Sequence, residues 1–448
     1  MAARPRIQLA FDVSWTEVEA AWRRPGSWVG PHHPDIGMFE DVARTAERGG
    51  LDMVFFGDST GIPDTWQGAI DDAVRHGVAW PRFDMSPWIA AMSRVASHIG
   101  FGLTYSSTFM HPFYTPRLLN SLDHLTGGRM AFNVIISQRR ADYANYGFDE
   151  LGDHDARYDR MEEFVDVCRA LWASVDPDAF VWDRATGMVA DPAKIRAINH
   201  VGRYFKVKGP LSVVPSPQVS PVVLQAGASP RGIRASAHVA DHVFGQARAL
   251  PLMVKHRTDL DAALAAEGRD PATVNILWAI RLIVGETEAE AQALREALID
   301  NVPLAAAGVW LSHNTGYDMA QLPPHFSLAE LQERIVAAQA SPVGFVADMI
   351  AAYGKHAEID RDDFLREGLK AATGYTTAVS GTAAAIADRL EAISEATGSR
   401  GGFMVKQSQA GPREIMLNIV DRLVPELQRR GRYRTGYAGR TLRENLAA

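Results

Sequence analysis

Short runs of almost unbroken apolar residues alternate along the chain with longer segments whose apolar positions recur every three or four residues. The runs 7–13, 53–58, 99–107, 130–137, 222–226, 242–246, 275–284 and 402–407 read as strands. The segments 38–48, 87–97, 115–125, 156–173, 231–240, 250–266, 287–298 and 412–429 carry the helical period and read as helices. Strands that are apolar on both faces belong to a parallel sheet covered by helices. Eight strand–helix units predict an α/β fold of the (β/α)8 TIM-barrel type rather than an open doubly wound sheet.

The spacing is uneven in two places. Residues 176–220 and 302–373 are too long for plain loops in a compact domain. They read as insertions at the C-terminal ends of the strands, forming a lid or substrate pocket within a single domain spanning 1–448. The Arg-, Gly- and Tyr-rich segment near 430–448 reads as a solvated tail, with an arm reaching a neighbouring subunit as the alternative. No internal repeat is visible.

Composition narrows the function classes. Apolar residues make up 47% of 448, enough for a large core, and the net charge of −7 argues against a nucleic-acid-binding surface. No apolar run reaches membrane-spanning length, and the N-terminus has no signal-like apolar segment, so a cytoplasmic protein is expected. The single cysteine, Cys168, lies at a helical apolar position and reads as a buried thiol, not a nucleophile.

The candidate chemistry lies at strand ends. In Pro221–Gly232 an apolar strand runs into a Gly/Ala/Ser turn, then Ser229 and a helix start, which makes a natural seat for a phosphate. His154 and Tyr158, four apart, share one helix face beside Arg157. Either could serve structure alone, His154 as a helix cap and Tyr158 as packing. Asp58 and Ser59 end the second strand, Thr104 and Ser106 the third, and Asn133, Ile135 and Ser137 share a face of the fourth. Polar groups there need partners, and a planar polar ring such as an isoalloxazine would supply them. His313, in the second insertion, reads equally as a pocket wall or a surface residue. The adjacent pair His32-His33 has poor ligand geometry and reads as a loop. No His-Glu-x-x-His, cysteine pair, Walker loop or Gly-x-Ser-x-Gly elbow is present, and Gly100-Phe-Gly102 lacks the third glycine of a dinucleotide fingerprint.

Five further groups of residues carry a resemblance: Phe55-Phe-Gly-Asp58-Ser59, Leu122-Asp-His-Leu-Thr-Gly-Gly-Arg129, His154-Asp-Ala-Arg-Tyr158, Gln225-Ala-Gly-Ala-Ser229 and Val424-Pro-Glu-Leu-Gln-Arg-Arg430. Together they resemble the bacterial luciferase-like flavin monooxygenases, in the branch of the nitrilotriacetate, dibenzothiophene-sulfone and dimethyl-sulfide enzymes. The resemblance implies a barrel that binds FMN and uses it reduced, as FMNH2. It places Asp58, Thr104, His154, Tyr158 and Ser229 at the FMN, with Tyr158 and Ser229 towards the phosphate and Thr104 towards the ring. Asn133 is added mainly from strand geometry.

The same resemblance implies a separate NAD(P)H:flavin reductase, a homodimer or homotetramer, and transfer of one O2-derived oxygen atom through a flavin peroxide to carbon, nitrogen or sulfur of a small organic substrate. A deazaflavin oxidoreductase and a non-catalytic flavin-binding protein remain as alternatives. Phe55, Phe56, Phe101 and Phe132 are the expected apolar shield, and His313 the expected catalytic residue on the substrate side. Arg82, Arg139 and Arg140 are candidates for holding an acidic substrate.

Overall fold

The computed structural model describes residues 5–14, 20–23, 26–29, 33–246, 249–300, 302–338, 344–406 and 413–447. His32 and the chain end of the eighth predicted strand, Gln407, lie outside them. Eight strands close a barrel: β1 (Gln8–Asp12), β2 (Met53–Phe56), β3 (Gly100–Ser106), β4 (Met130–Ile135), β5 (Val222–Ala226), β6 (His242–Gln246), β7 (Asn275–Ile280) and β8 (Gly401–Lys406). They neighbour one another in chain order, and β8 returns to pair with β1. Every barrel pairing is parallel. Covering helices include α1 (Ile36–Arg48), α2 (Ser86–Met92), α3 (Tyr114–Thr126), α4 (His154–Trp172), α5 (Pro230–Val239), α6 (Leu250–Ala266) and α7 (Ala383–Ala396). The helical run Arg413–Asn418, Ile419–Leu423 and Val424–Arg429 closes the ring.

Period-two alternation divides each strand between two cores. Met53 and Phe55 of β2 belong to the barrel interior with Ala131, Leu224, Leu277 and Met404. Val54 and Phe56 belong to the larger core between strands and helices. Phe101 and Phe132 also face outward into that core. Of the four phenylalanines expected to shield the site, only Phe55 therefore points inward, where it stacks on Phe244 at 5.8 Å.

Both insertions differ from expectation. The first leaves the C-terminal end of α4 and re-enters at the N-terminal end of β5. It consists of two small antiparallel pairs, Phe180–Asp183 with Met188–Ala190 and His200–Val201 with Lys206–Val207. It is tied to the flank of α4 by Glu163, which accepts from the backbone N–H groups of Tyr204 and Phe205 at 2.9 Å. It is tied to the end of α3 by Gln218, which donates to Asp123 at 2.8 Å. An αβ connection of this kind cannot form a lid over strand C-termini.

The second insertion is larger than 302–373. The predicted strand 275–284 breaks at Arg281: Asn275–Ile280 stays in the barrel, while Leu282–Gly285 pairs with Val379–Thr382 in a separate ladder. This clasp encloses the helices Glu288–Glu296, Leu304–Thr315, Leu328–Ala337, Gly344–Tyr353 and Arg361–Ala372. Segment 287–298, expected to cover the barrel after the seventh strand, is part of the insertion. The covering position belongs to α7, whose Ile386, Leu390 and Ile393 are buried in the main core.

The tail is not solvated. Arg432, Tyr433, Arg434 and Leu442 are buried. Leu442 and Leu446 enter the barrel's inner core from its N-terminal end. A Cβ at Gly100 would strike Leu442 at 2.6 Å, so the glycine makes room for this plug. Among the described residues no helix is long and apolar enough to cross a membrane.

Candidate active site

Three groups of polar residues gather at the C-terminal ends of the strands. The first lies where β5 runs into α5. Ser229 is the N-cap of α5, its Oγ accepting from the Gly232 N–H at 3.0 Å. The Ser229 side chain also shares a hydrogen bond with the Tyr158 hydroxyl. Burial holds the Tyr158 phenol above its usual range, so it stays a neutral O–H donor. A Cβ on Gly227 would meet Gly232 Cα at 2.8 Å, and one on Gly232 would meet Gly227 Cα and the Tyr158 hydroxyl oxygen at 2.9 Å each. Only glycine at both positions allows this turn and helix start to close up, leaving a small cradle at a positive helix end.

Around it, His154 packs edge-on against Tyr158 with ring centroids 5.2 Å apart. His154 does not cap α4; Asp153 does, accepting from Ala156 N–H at 2.9 Å. Arg157 turns away to donate to the Ser137 carbonyl at 2.8 Å. Arg231 stacks over the Tyr158 ring and is paired with Glu162 and Asp159 at 2.6 and 2.8 Å.

The second group faces the barrel interior. Asn133 Nδ2 donates to Thr104 Oγ1 at 3.0 Å, and both residues are buried. Asn133 Oδ1 is buried with no hydrogen-bond partner. An unpaired buried acceptor at a barrel mouth is costly unless a ligand N–H reaches it. Nearby, Ser137 Oγ donates to Ser106 Oγ at 2.8 Å.

The third group surrounds Asp58. Its carboxylate accepts from Ser59 N–H at 2.8 Å, and burial raises its pKa to about 6 against the opposing pull of Arg82. Asp58 borders a cavity of about 600 Å³ together with Arg82, Asp84, Tyr105, Asn145 and Tyr146. A narrow recess with Asp58, Thr104, Ser106 and Ser137 in its walls joins this group to the second.

Sequence reasoning missed several residues here. Buried Asp142 accepts from Ser59 Oγ at 3.0 Å, Thr60 N–H at 2.8 Å and Gly61 N–H at 2.6 Å, fixing the loop after β2. Asp12 accepts from Lys406 Nζ at 2.6 Å and from Ser14, whose Oγ accepts in turn from Gly57 N–H at 2.6 Å. Asp12 and Lys406 end the first and last strands, so the strand-end rule applied to the other strands also reaches them. Asp142 had no such signal.

His313 sits elsewhere. It is buried on Leu304–Thr315 and is not in the wall of the 600 Å³ cavity. That insertion packs instead on Trp66, Ala73 and Val78 of the loop after β2. Ile62, which lines the cavity, packs against the same cluster. Arg82 borders the cavity; Arg139 and Arg140 do not.

The family model for luciferase-like monooxygenases matches residues 17–400. The chain belongs to the luciferase-like monooxygenase family. It is 36% identical to a dibenzothiophene-sulfone monooxygenase of Rhodococcus erythropolis, over 91% of this chain and 89% of the relative. It is 34% identical to nitrilotriacetate monooxygenase component A of Aminobacter aminovorans, over 100% and 97% of the two chains. Among solved structures, a riboflavin lyase with a modified FMN and riboflavin superposes with a TM-score of 0.83 and 26% identity, covering 98% of this chain and 95% of that one. The resemblance read from the sequence and the barrel fold are thus borne out, and the chain is an oxidoreductase of this monooxygenase family.

The raised pKa of Asp58 has a measurable consequence. Its folded-state pKa of about 6 lies above the unfolded value, so the ionised carboxylate opposes folding at high pH. That cost is relieved as pH falls through about 6 and is gone below the unfolded pKa of 3.8. Asp58→Asn should therefore be more stable than the parent at pH 8 by up to about 3 kcal/mol, with the gap shrinking at pH 5. Urea denaturation at the two pH values checks both the sign and the trend.

Proposed function

We propose that the chain is the oxygenase of a two-component system, taking reduced FMN from a separate NAD(P)H:flavin reductase and inserting one oxygen atom of O2 into a small organic substrate. The observation that carries this reading is the seat formed by Tyr158, Ser229 and the Gly227–Gly232 approach at the start of α5. The unpaired Asn133 Oδ1 fits an N–H on the edge of a flavin ring. When bound, reduced FMN supplies the electrons that activate O2.

The chain's own residues do the rest. Tyr158 and the Arg231 amide, at the positive start of α5, hold the phosphate. Thr104 and Asn133 orient the polar edge of the ring, and His154 packs against Tyr158 to fix it. Phe55 and Phe244 give the barrel interior an apolar surface that excludes water. Component A in the name of the nitrilotriacetate relative supports the division of labour with a reductase. A homodimer or homotetramer is proposed on family grounds, and light scattering measures it.

The reading is tested by titrating the protein with FMN under reducing, anaerobic conditions and then following oxygen uptake with a generic NADH:flavin reductase. Association of reduced FMN and substrate-dependent product formation are expected; no association overturns the reading. His313→Ala tests the catalytic role proposed from the sequence. Because His313 stands outside the cavity wall, the expected result is less than about a threefold change in turnover. A loss of about 100-fold or more would restore the role.

A further inference from the structure

The cavity beside Asp58 is large enough for a small organic molecule, and its charge is one-sided. Asp58, Asp64 and Asp84 stand in its wall, and Arg82 is the one cationic side chain among its described wall residues. Arg82 is already engaged: its Nε donates to the Ala79 carbonyl at 3.1 Å, and its charge acts on Asp58. The Asp84 carboxylate is held in place, accepting from the Tyr105 hydroxyl at 3.0 and 3.1 Å and from Ser86 N–H at 2.9 Å. Between these polar points the wall is apolar, with Trp80, Phe83 and Met110. Three carboxylates facing one committed guanidinium repel a second anion and attract a donor or a cation.

We propose that this cavity is the substrate pocket and that it selects small molecules with an apolar body and a cationic, amine-type head, discriminating against carboxylates. The word substrate rests on the oxygenase reading above; the charge preference of the cavity does not. Arg82 was a candidate for gripping an acidic substrate, but its surroundings turn it into a counter-charge for Asp58.

Three probes of one shape test this: 3-phenylpropylamine, 3-phenylpropanol and 3-phenylpropionate, titrated into the full chain at pH 7.5 by calorimetry. The amine is expected to bind at least about tenfold more tightly than the acid, a difference of about 1.4 kcal/mol, with the alcohol between them. In the Asp64→Asn/Asp84→Asn double variant that ratio should fall to within about threefold. Asp64→Asn alone, at an exposed position, should lower it part of the way and guards against a folding defect in the double variant. Equal or reversed affinities, no binding by any probe, or an unchanged ratio in the double variant overturns the proposal. FMN is titrated into the same samples. Absence of FMN association with the amine preference intact overturns the oxygenase reading and leaves the charge preference standing, so the two failures are told apart.

Discussion

Ser229→Asp is expected to weaken FMN binding at least about 100-fold while shifting the melting temperature by no more than a few degrees. The two effects separate because Ser229 has two tasks. As N-cap of α5 it accepts from Gly232 N–H, and aspartate caps a helix as well as serine does. The helix therefore keeps its start and the fold its stability. The new carboxylate, however, stands where the ligand phosphate would sit. Two unit charges about 4 Å apart repel by about 4 kcal/mol at an effective dielectric constant near 20. The positive end of α5, otherwise available to the phosphate, is then answered by the protein's own side chain. A 100-fold loss needs only about 2.8 kcal/mol of this. Tyr158→Phe removes one hydroxyl donor to an anion and should cost about tenfold. Anaerobic calorimetry with reduced FMN, paired with thermal melts, checks both. Unchanged affinity in both variants would mean that the phosphate does not dock at α5.

How far the sequence could be read follows from the range of each interaction. Barrel strands were legible because an unbroken apolar run is a local signal. The break at Arg281 was not, because Leu282–Val284 continues the same run although it pairs with Val379–Gly381. Which helix covers β7 was also hidden. Segments 287–298 and 383–396 are both helical by pattern, and only tertiary packing sends the second to the barrel. The tail was misjudged because arginines are solvated by default. Arg434 is buried by virtue of Asp52, 382 positions away.

The site divides in the same way. Ser229, Gly227 and Gly232 form a local motif, and Tyr158 with His154 is a local helix face. Thr104 and Asn133 were found by the strand-end rule, and adjacent registered strands bring them together. The Asp142 anchor of the loop after β2 and the Asp12–Lys406 pair join segments far apart in sequence. His313 rests on chemical context alone, an aromatic and polar stretch; it is buried on Leu304–Thr315 and is not among the residues that line the 600 Å³ cavity.

Asp52→Ala is expected to cost about 3–5 kcal/mol, a large fraction of the 5–15 kcal/mol typical of a native domain. The Asp52 side chain is 1% exposed. It accepts from Arg6 Nη1 at 2.9 Å, from Leu9 N–H at 2.7 Å and from Arg434 Nη2. One carboxylate thus joins β1, the start of β2 and the C-terminal tail at the barrel floor. Its removal leaves Arg434, 6% exposed, as a buried cation that still donates to the Asn445 carbonyl at 2.9 Å but has lost its carboxylate. The cheapest relief is for the tail to leave, which draws Leu442 and Leu446 out of the inner core and exposes the buried Arg432 and Arg434 to trypsin. Urea denaturation should show the loss of stability, and limited trypsin digestion should trim the tail well before the barrel is cut. Asp52→Asn keeps the shape but only one acceptor oxygen. If that oxygen serves Leu9 N–H, the amide NH2 faces Arg6 and Arg434, so this variant should cost nearly as much. Because Asp52 lies at the opposite barrel end from Ser229, FMN affinity of the folded fraction should stay within about twofold. If both variants melt like the parent and resist trypsin equally, the tail is held by its apolar contacts alone and the ion pair contributes nothing to the floor.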